Sequence, residues 1–204
     1  MATSAGTEVP DVFGRRVAPT QALASDAARV AQTCRDMAAR FRRGGTLLVF
    51  GNATAGTDAA HVAVEFLHPV IVGKRALPAV SLTNDWSTLS SVAAAQGADE
   101  MFAGQIRAWG RPDDIALGLS ADGHCSNVLQ GLRAAAGLGL LTVALVGGDG
   151  GAIAADPAVA HALVVPSTDP RVVKEVQVTT YHILWELVHV LLEHQDVLAA
   201  GVRR

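Results

Sequence analysis

Aromatic side chains are scarce in this chain of 204 residues: five Phe, three Trp and one Tyr. Half of the residues are nonetheless apolar, chiefly Ala, Val and Leu, with Gly also abundant. Small apolar residues in that proportion suit a close-packed α/β interior better than an aromatic-rich β-sandwich. Charge is sparse too, at 17% Asp, Glu, Lys and Arg, with a formal net charge of −3. That balance offers no global attraction for nucleic acid or an anionic membrane, and the apolar content excludes an intrinsically disordered chain. No apolar run approaches the roughly 18 residues that a bilayer span requires. The richest late stretch, Ile183 to Leu192, is interrupted by Glu186 and His189. The opening MATSAGTEVPDVFGRR has no basic start followed by an apolar segment, so no secretory signal is expected. Two cysteines, Cys34 and Cys125, fit a reduced cytoplasmic protein better than a disulfide scaffold.

What is present is organised as one domain with room for a full core. Residues 1–20 are polar, carry Pro10 and Pro19, and are expected to form an extended arm. From Leu23 the apolar residues Leu23, Ala27, Val30, Cys34, Met37 and Phe41 recur at intervals of three and four, the seam of a helix that Gly44-Gly45 ends. The seam packs either on the chain's own core or against another subunit. Arg35, Arg40, Arg42 and Arg43 near its end read as a solvated face that complements the helix dipole.

The pattern then alternates. Thr46–Phe50, Ala79–Leu82, Ile115–Leu119, Leu141–Val146 and Ala162–Val165 read as short strands. Helices are expected near Asp58–His68, Thr88–Ala95, Asp99–Trp109, Ser126–Ala136 and Val172–Glu193. Such alternation predicts a doubly wound, five-stranded parallel sheet flanked by helices, a single domain over 21–196 with its N-terminal helix, and a tail over 197–204.

Ligands bind such sheets beyond the carboxyl ends of the strands, beside helix N-termini that favour anions. Three loops qualify: Gly51–Thr57, Ser120–Asn127 and Gly147–Gly151. None has the spacing of a dinucleotide fingerprint or a GK[ST] phosphate loop, so no nucleotide cofactor is expected. Their glycines either bring backbone close to a ligand or only relieve tight turns. His61 and Glu65, four apart, share one helix face within reach of a common metal ion or proton. Alone, that pair is more often a solvated or hydrogen-bonded pair than a site. The closing helix adds Glu175, His182, Glu186 and His189 as a polar stripe amid apolar neighbours, whereas His68, His124, His161 and His194 share no informative spacing.

Taken in order, the segments LLVFGNATAGTDAAHVAVEF, ALPAVSLTND, GRPDDIALGLSADGHCSNVLQGLRAA, TVALVGGDGG and KEVQVTTYHIL resemble the SIS (sugar isomerase) fold. Within it they are similar to the phosphoheptose isomerase branch, which also holds a DnaA-binding regulator of replication initiation. The likeness spans about Leu23 to His194 and implies a five-stranded parallel sheet and a homotetramer assembled partly through the N-terminal helix. It further implies conversion of sedoheptulose 7-phosphate to an aldose phosphate, with Glu65 as carboxylate base and His182 as catalytic histidine. His61, Glu65 and His182 match three of the four side chains of the family's metal site, usually zinc.

The departures from the family pattern are as informative. Lys174 stands at the position of the metal-site Gln, and its ammonium has no lone pair to give unless deprotonated. Two arrangements stay open: zinc on the three remaining side chains, or the Lys174 ammonium in its place, paired with Glu65 and polarising an oxygen itself. The family's first phosphate loop, G-N-G-G-S, is Gly51-Asn52-Ala53-Thr54-Ala55. Its second, S-T-S-G-N-S, is Ser120-Ala121-Asp122-Gly123-His124-Cys125. A carboxylate facing a phosphate is repulsive, by about 1 kcal/mol per charge pair in water at 4 Å. Ala94-Ala95 replace a family Asn-Asp pair, and Pro69 a substrate-facing Arg. The resemblance thus implies Asn52, Thr54, Ser120, Asp122, His124, Cys125 and Lys174 as the substrate-contacting set. Two readings follow. One is an isomerase acting on a sugar or sugar phosphate other than the usual heptose phosphate, with Asp122 and His124 on sugar hydroxyls. The other is a catalytically silent carbohydrate-derivative-binding, regulatory or scaffold protein with a protein partner.

Overall fold

Hydrophobic segregation on two faces of one sheet organises the computed structural model, which describes residues 9–194. Five parallel strands, β1 (Leu47–Gly51), β2 (Ala79–Ser81), β3 (Ile115–Ser120), β4 (Leu141–Gly147) and β5 (His161–Val165), lie in the order β2-β1-β3-β4-β5. The strands β1, β3 and β4 are buried throughout, as unbroken apolar runs in a two-sided sheet must be.

Alternate residues of each strand point to opposite faces. Leu47, Val49, Leu117, Val143 and Leu145 meet α2 (Ala27–Arg42), α3 (Thr54–Leu67) and α8 (Pro170–Glu193). Leu48, Phe50, Ala116, Ala144 and Val146 meet α4 (Trp86–Gln96), α5 (Met101–Trp109), α6 (Ser126–Gly137) and the short α7 (Gly151–Ala155). A 3₁₀ turn, Ala98–Glu100, leads into α5. Gly118 faces α6 so closely that a Cβ there would come within 2.8 Å of Val128. Among the described residues, no helix is long and apolar enough to cross a membrane.

The expected strands and the helices that follow them are present to within a few residues; only α7 lacked a periodic signal, being five residues long. The N-terminal region differs from expectation. Residues 9–20 are not an extended arm but the start of α1 (Val9–Ser25), and the helix expected from Leu23 is divided at Asp26. Pro10 falls in the first turn, where the missing N–H has no partner to lose, and the helix continues through the buried Pro19. Ion pairs of Arg16 with Glu175 and of Arg15 with Asp169 fasten α1 to α8. The Cys34, Met37 and Phe41 seam of α2 packs on the chain's own core. Its arginines hold backbone oxygens and a carboxylate: Arg40 reaches Gly139, Arg42 reaches Leu191, and Arg43 pairs with Asp113. The tail expected at 197–204 lies outside the described residues.

Chain order reverses between β1 and β3, and the crevice beyond their carboxyl ends is where such sheets take ligands. There the side chains of Asn52 and Asn127 exchange amide hydrogen bonds of 2.8 and 3.0 Å, tying the β1 and β3 loops together.

Candidate active site

Helices α3 and α8 run side by side in the same direction, and their contacts form a ladder. Lys174 meets Asp58, Tyr181 meets His61, and Trp185 donates its indole N–H to the backbone oxygen of Glu65 at 2.9 Å. Asp58, His61 and Glu65 fall three and four residues apart, so they share one face of α3. His182 follows Tyr181 on α8 and turns towards the same space, its ring 5.4 Å from that of His61 and nearly perpendicular to it.

Ligand atoms of His61, Glu65 and His182 all lie within 4.8 Å of one another. His61 Nε2 is 3.2 Å from Glu65 Oε1, and His61 Nδ1 is 2.8 Å from the Tyr181 hydroxyl. Tyr181 is buried, and its hydroxyl is held well above its ordinary pKa, first by burial and then by the nearby charges of Asp58 and Glu65. The phenol therefore keeps its proton, and its hydrogen bond with Nδ1 holds the His61 ring with Nε2 towards Glu65. Glu65 is 12% exposed and His61 43% exposed. Beside them opens a cleft of about 510 Å³ lined by Glu65, His182, Trp185, Glu186, Lys74 and Val70.

Two imidazoles and one carboxylate are a donor set suited to zinc with a free position, and the hydroxyl behind His61 is the kind of support that orients a ligating ring. The residues present therefore fit a metal ion with three protein ligands. Lys174 does not join them. Its ammonium lies 2.5 Å from Oδ1 of the buried Asp58, so the arrangement that pairs it with Glu65 is replaced by one with Asp58. The ladder supplies the reason: Lys174 lies opposite residue 58, about 10 Å along α3 from residue 65 at 1.5 Å per residue.

The second expected region, Ser120–Cys125, is folded upon itself. Asp122 Oδ1 accepts the backbone N–H of His124 at 2.9 Å and lies 3.2 Å from Ser120 Oγ. Ser120 Oγ is also 3.3 Å from Cys125 Sγ and accepts the N–H of Gly123 at 3.0 Å. Gly123 has φ +76, and a Cβ on it would lie 2.1 Å from the backbone oxygen of Gly150, so the β3 and β4 loops interlock here. Asp99 adds a further carboxylate at the start of α6 by accepting from the Ser126 hydroxyl. Side-chain oxygens of this protein thus occupy loop donors at a helix N-terminus, the setting that otherwise attracts an anion.

Of the remaining expected residues, Asn52 is engaged with Asn127 and Thr54 is exposed at the first turn of α3. The polar stripe of α8 divides four ways. Glu175 pairs with Arg16, His182 joins the cluster, Glu186 lines the cleft, and His189 is buried with its ring nitrogens near the backbone oxygens of Trp185 and Arg75. Sequence reading missed Asp58, Tyr181 and Gln177, whose buried amide donates to the oxygens of Ser120 and Leu145 and clips α8 to the strand ends. Asp58 had a signal, being one turn before His61; Tyr181 and Gln177 lie among apolar residues and gave none.

A family model described as SIS domain matches residues 16–147. The chain belongs to the SIS domain family. This SIS protein is 36% identical over 179 residues to a phosphoheptose isomerase of Desulfovibrio desulfuricans, covering 87% of this chain and 84% of that one. It is 41% identical over 159 residues to a phosphoheptose isomerase of Chlorobaculum parvum, covering 76% and 75%. Among solved structures, phosphoheptose isomerase from Francisella tularensis superposes with a TM-score of 0.82 at 28% identity, covering 89% of this chain and 96% of that one. The Neisseria gonorrhoeae phosphoheptose isomerase gives 0.80 at 28%, covering 88% and 96%. The chain is a phosphoheptose isomerase-like SIS protein, with the five-stranded parallel sheet that the resemblance implied.

Proposed function

We propose that this SIS protein interconverts the ketose and aldose forms of a sugar, with Glu65 and His182 moving the protons. The observation that carries this reading is the convergence of His61, Glu65 and His182 from two helices, backed by the Tyr181 hydroxyl. Isomerisation requires a proton to leave C1 and return at C2, while a hydroxyl proton passes from O1 to O2. The Glu65 carboxylate, mostly shielded from water, is placed to take and return the carbon-bound proton. His182 has a ring nitrogen that can hold a proton in transit between the oxygens. His61, tethered at Nδ1, keeps Glu65 oriented through Nε2. If zinc is held by His61, Glu65 and His182, it supplies Lewis-acid polarisation of the carbonyl oxygen.

The relatives' names favour a sugar phosphate, and the altered Ser120–Cys125 loop favours one other than sedoheptulose 7-phosphate. A homotetramer accords with the exposed apolar residues Val9, Phe13, Val17 and Ile183 on α1 and α8. The free cysteines Cys34 and Cys125 accord with a cytoplasmic protein. A Lys174 paired with Glu65 would have favoured the silent-scaffold reading; the ammonium is instead engaged by Asp58.

The decisive experiment is turnover of sedoheptulose 7-phosphate, of a panel of other aldose and ketose phosphates and of their unphosphorylated counterparts, with and without added zinc, by the wild type and Glu65→Gln. Turnover of one substrate that Glu65→Gln abolishes supports the reading. No turnover of any, or equal turnover by the variant, overturns it.

A further inference from the structure

The link between α3 and β2, residues 68–78, supplies one wall of the cleft beside Glu65 and His182, through Val70, Ile71 and Lys74. Val70 and Val72 are exposed, so burial does little to hold this wall. Its far end is anchored where the N–H of buried Leu77 donates to the oxygen of Phe66 at 2.8 Å. Among the described residues, two side-chain links tie residues 69–75 to α8. One is the ion pair of Lys74 with Glu193, both partly exposed and therefore weak. The other is His189, which is 1% exposed and has no part in the proposed proton transfers.

The His189 ring lies between two backbone oxygens. Its Nδ1 is 2.8 Å from that of Trp185, and its Nε2 is 3.0 Å from that of Arg75. A neutral imidazole has one N–H, so either tautomer sets a bare lone pair against an oxygen; only the imidazolium donates to both. The charged and titratable groups around it are Glu186, Glu193 and His194 on α8, Lys74 and Arg75 on the link, Glu65 and His68 at the end of α3, and Arg42 on α2. Glu193 has its carboxyl held below the usual range, first by the Lys74 hydrogen bond and then by the charges of Lys74, His189 and His194. It is the counter-ion that a cationic ring requires. The ring also packs 4.4 Å, centroid to centroid, from that of Trp185, whose indole donates to the oxygen of Glu65.

We infer that His189 is a positioning residue for the proposed active site: as an imidazolium it pins residues 69–75 to α8 and so fixes the wall beside Glu65 and His182. Its effect on a substrate rests on the isomerase reading, whereas the pinning does not. A histidine changes charge between about pH 5 and pH 8, so the wall is held at the acid end of that window and loosens as pH rises.

Two measurements on the full-length protein test this. Nitrogen-15 spectra of labelled histidine report whether each His189 ring nitrogen carries a proton, with His189→Gln assigning the signals. Hydrogen–deuterium exchange, corrected for the intrinsic effect of pH on amides, reports the opening of residues 69–75. Both ring nitrogens should be protonated at the acid end. Exchange of 69–75 should quicken about tenfold as that charge is lost, with β1 and β3 unchanged. His189→Gln keeps one donor group at every pH and should abolish the dependence. His189→Leu should exchange rapidly throughout, and where it does not fold the wild-type titration decides. For any sugar phosphate that is turned over, KM should rise with the same titration in the wild type but not in His189→Gln, while kcat stays alike in the two. Exchange that follows the titration without turnover of any sugar keeps the pinning and removes the isomerase reading. A ring with one proton at every pH, exchange that ignores its titration, or an unchanged pH dependence in His189→Gln overturns the inference.

Discussion

The two ends of the crevice differ in what their polar groups are free to do. At the α3–α8 end, Glu65 and His182 open onto a cleft, and only His61 is braced from behind by the Tyr181 hydroxyl. At the α6 end, the Ser120, Asp122 and His124 groups are largely engaged with one another. Both ends sit on the same rigid sheet, so altered recognition at one need not disturb acid–base geometry at the other. Under the proposed isomerisation, proton transfer and substrate choice are separable, and variants at each end should separate them experimentally.

The largest expected effect lies at the first end. Glu65→Gln keeps the shape but removes the proposed base, and kcat should fall by about 10²–10⁴-fold with little change in melting temperature. Tyr181→Phe tests the brace. Losing the hydroxyl behind His61 should lower activity or metal affinity by about 10–100-fold, read as kcat or as zinc affinity by competition with a chelator. An unchanged value would make Tyr181 a packing residue only.

The α3–α8 ladder shows how far sequence reading carried and where it stopped. His61 and Glu65 were legible because four-residue spacing on one helix is local, and His182 joined them through family resemblance. The partner of Lys174 was not legible, because it depends on the register between two helices more than one hundred residues apart. The sheet was legible for a complementary reason: buried parallel strands are short apolar runs between helical segments. The N-terminal arm was misread because two prolines signal extended chain locally. The ion pairs from Arg15 and Arg16 to α8 are tertiary contacts that leave no periodic trace.

Smaller effects sharpen the comparison between the ends. Ala53 has φ 51 and ψ −118, a backbone shape that favours glycine, at the turn from β1 into α3. Ala53→Gly should relieve about 1 kcal/mol of strain, seen as a rise of some 2–4 °C in melting temperature. Lys174→Met leaves buried Asp58 without its cation. Because the lysine side chain is 41% exposed, the cost should be only about 1 kcal/mol by denaturant unfolding.

Acid provides a last, milder test away from both ends. Asp169 caps α8, and its hydrogen bonds from the Arg171 side chain and backbone pull its pKa from 3.8 to about 2. A lowered carboxylate stabilises the fold above its ordinary pKa, and that contribution disappears as pH falls through the folded value. Asp169→Asn should therefore melt slightly below the wild type at pH 7 and together with it near pH 2.

The contact of Gly123 with Gly150 has a consequence for altering this protein. The two loops form a clasp whose main chain cannot accept a side chain at its crossing, whereas positions 122 and 124 beside it point outward and are exposed. Specificity can thus be rewritten by exchanging side chains on a fixed wire. A combinatorial library confined to 121, 122, 124 and 125, with 123 held as glycine, should yield mostly folded members whose differences report on ligand choice alone.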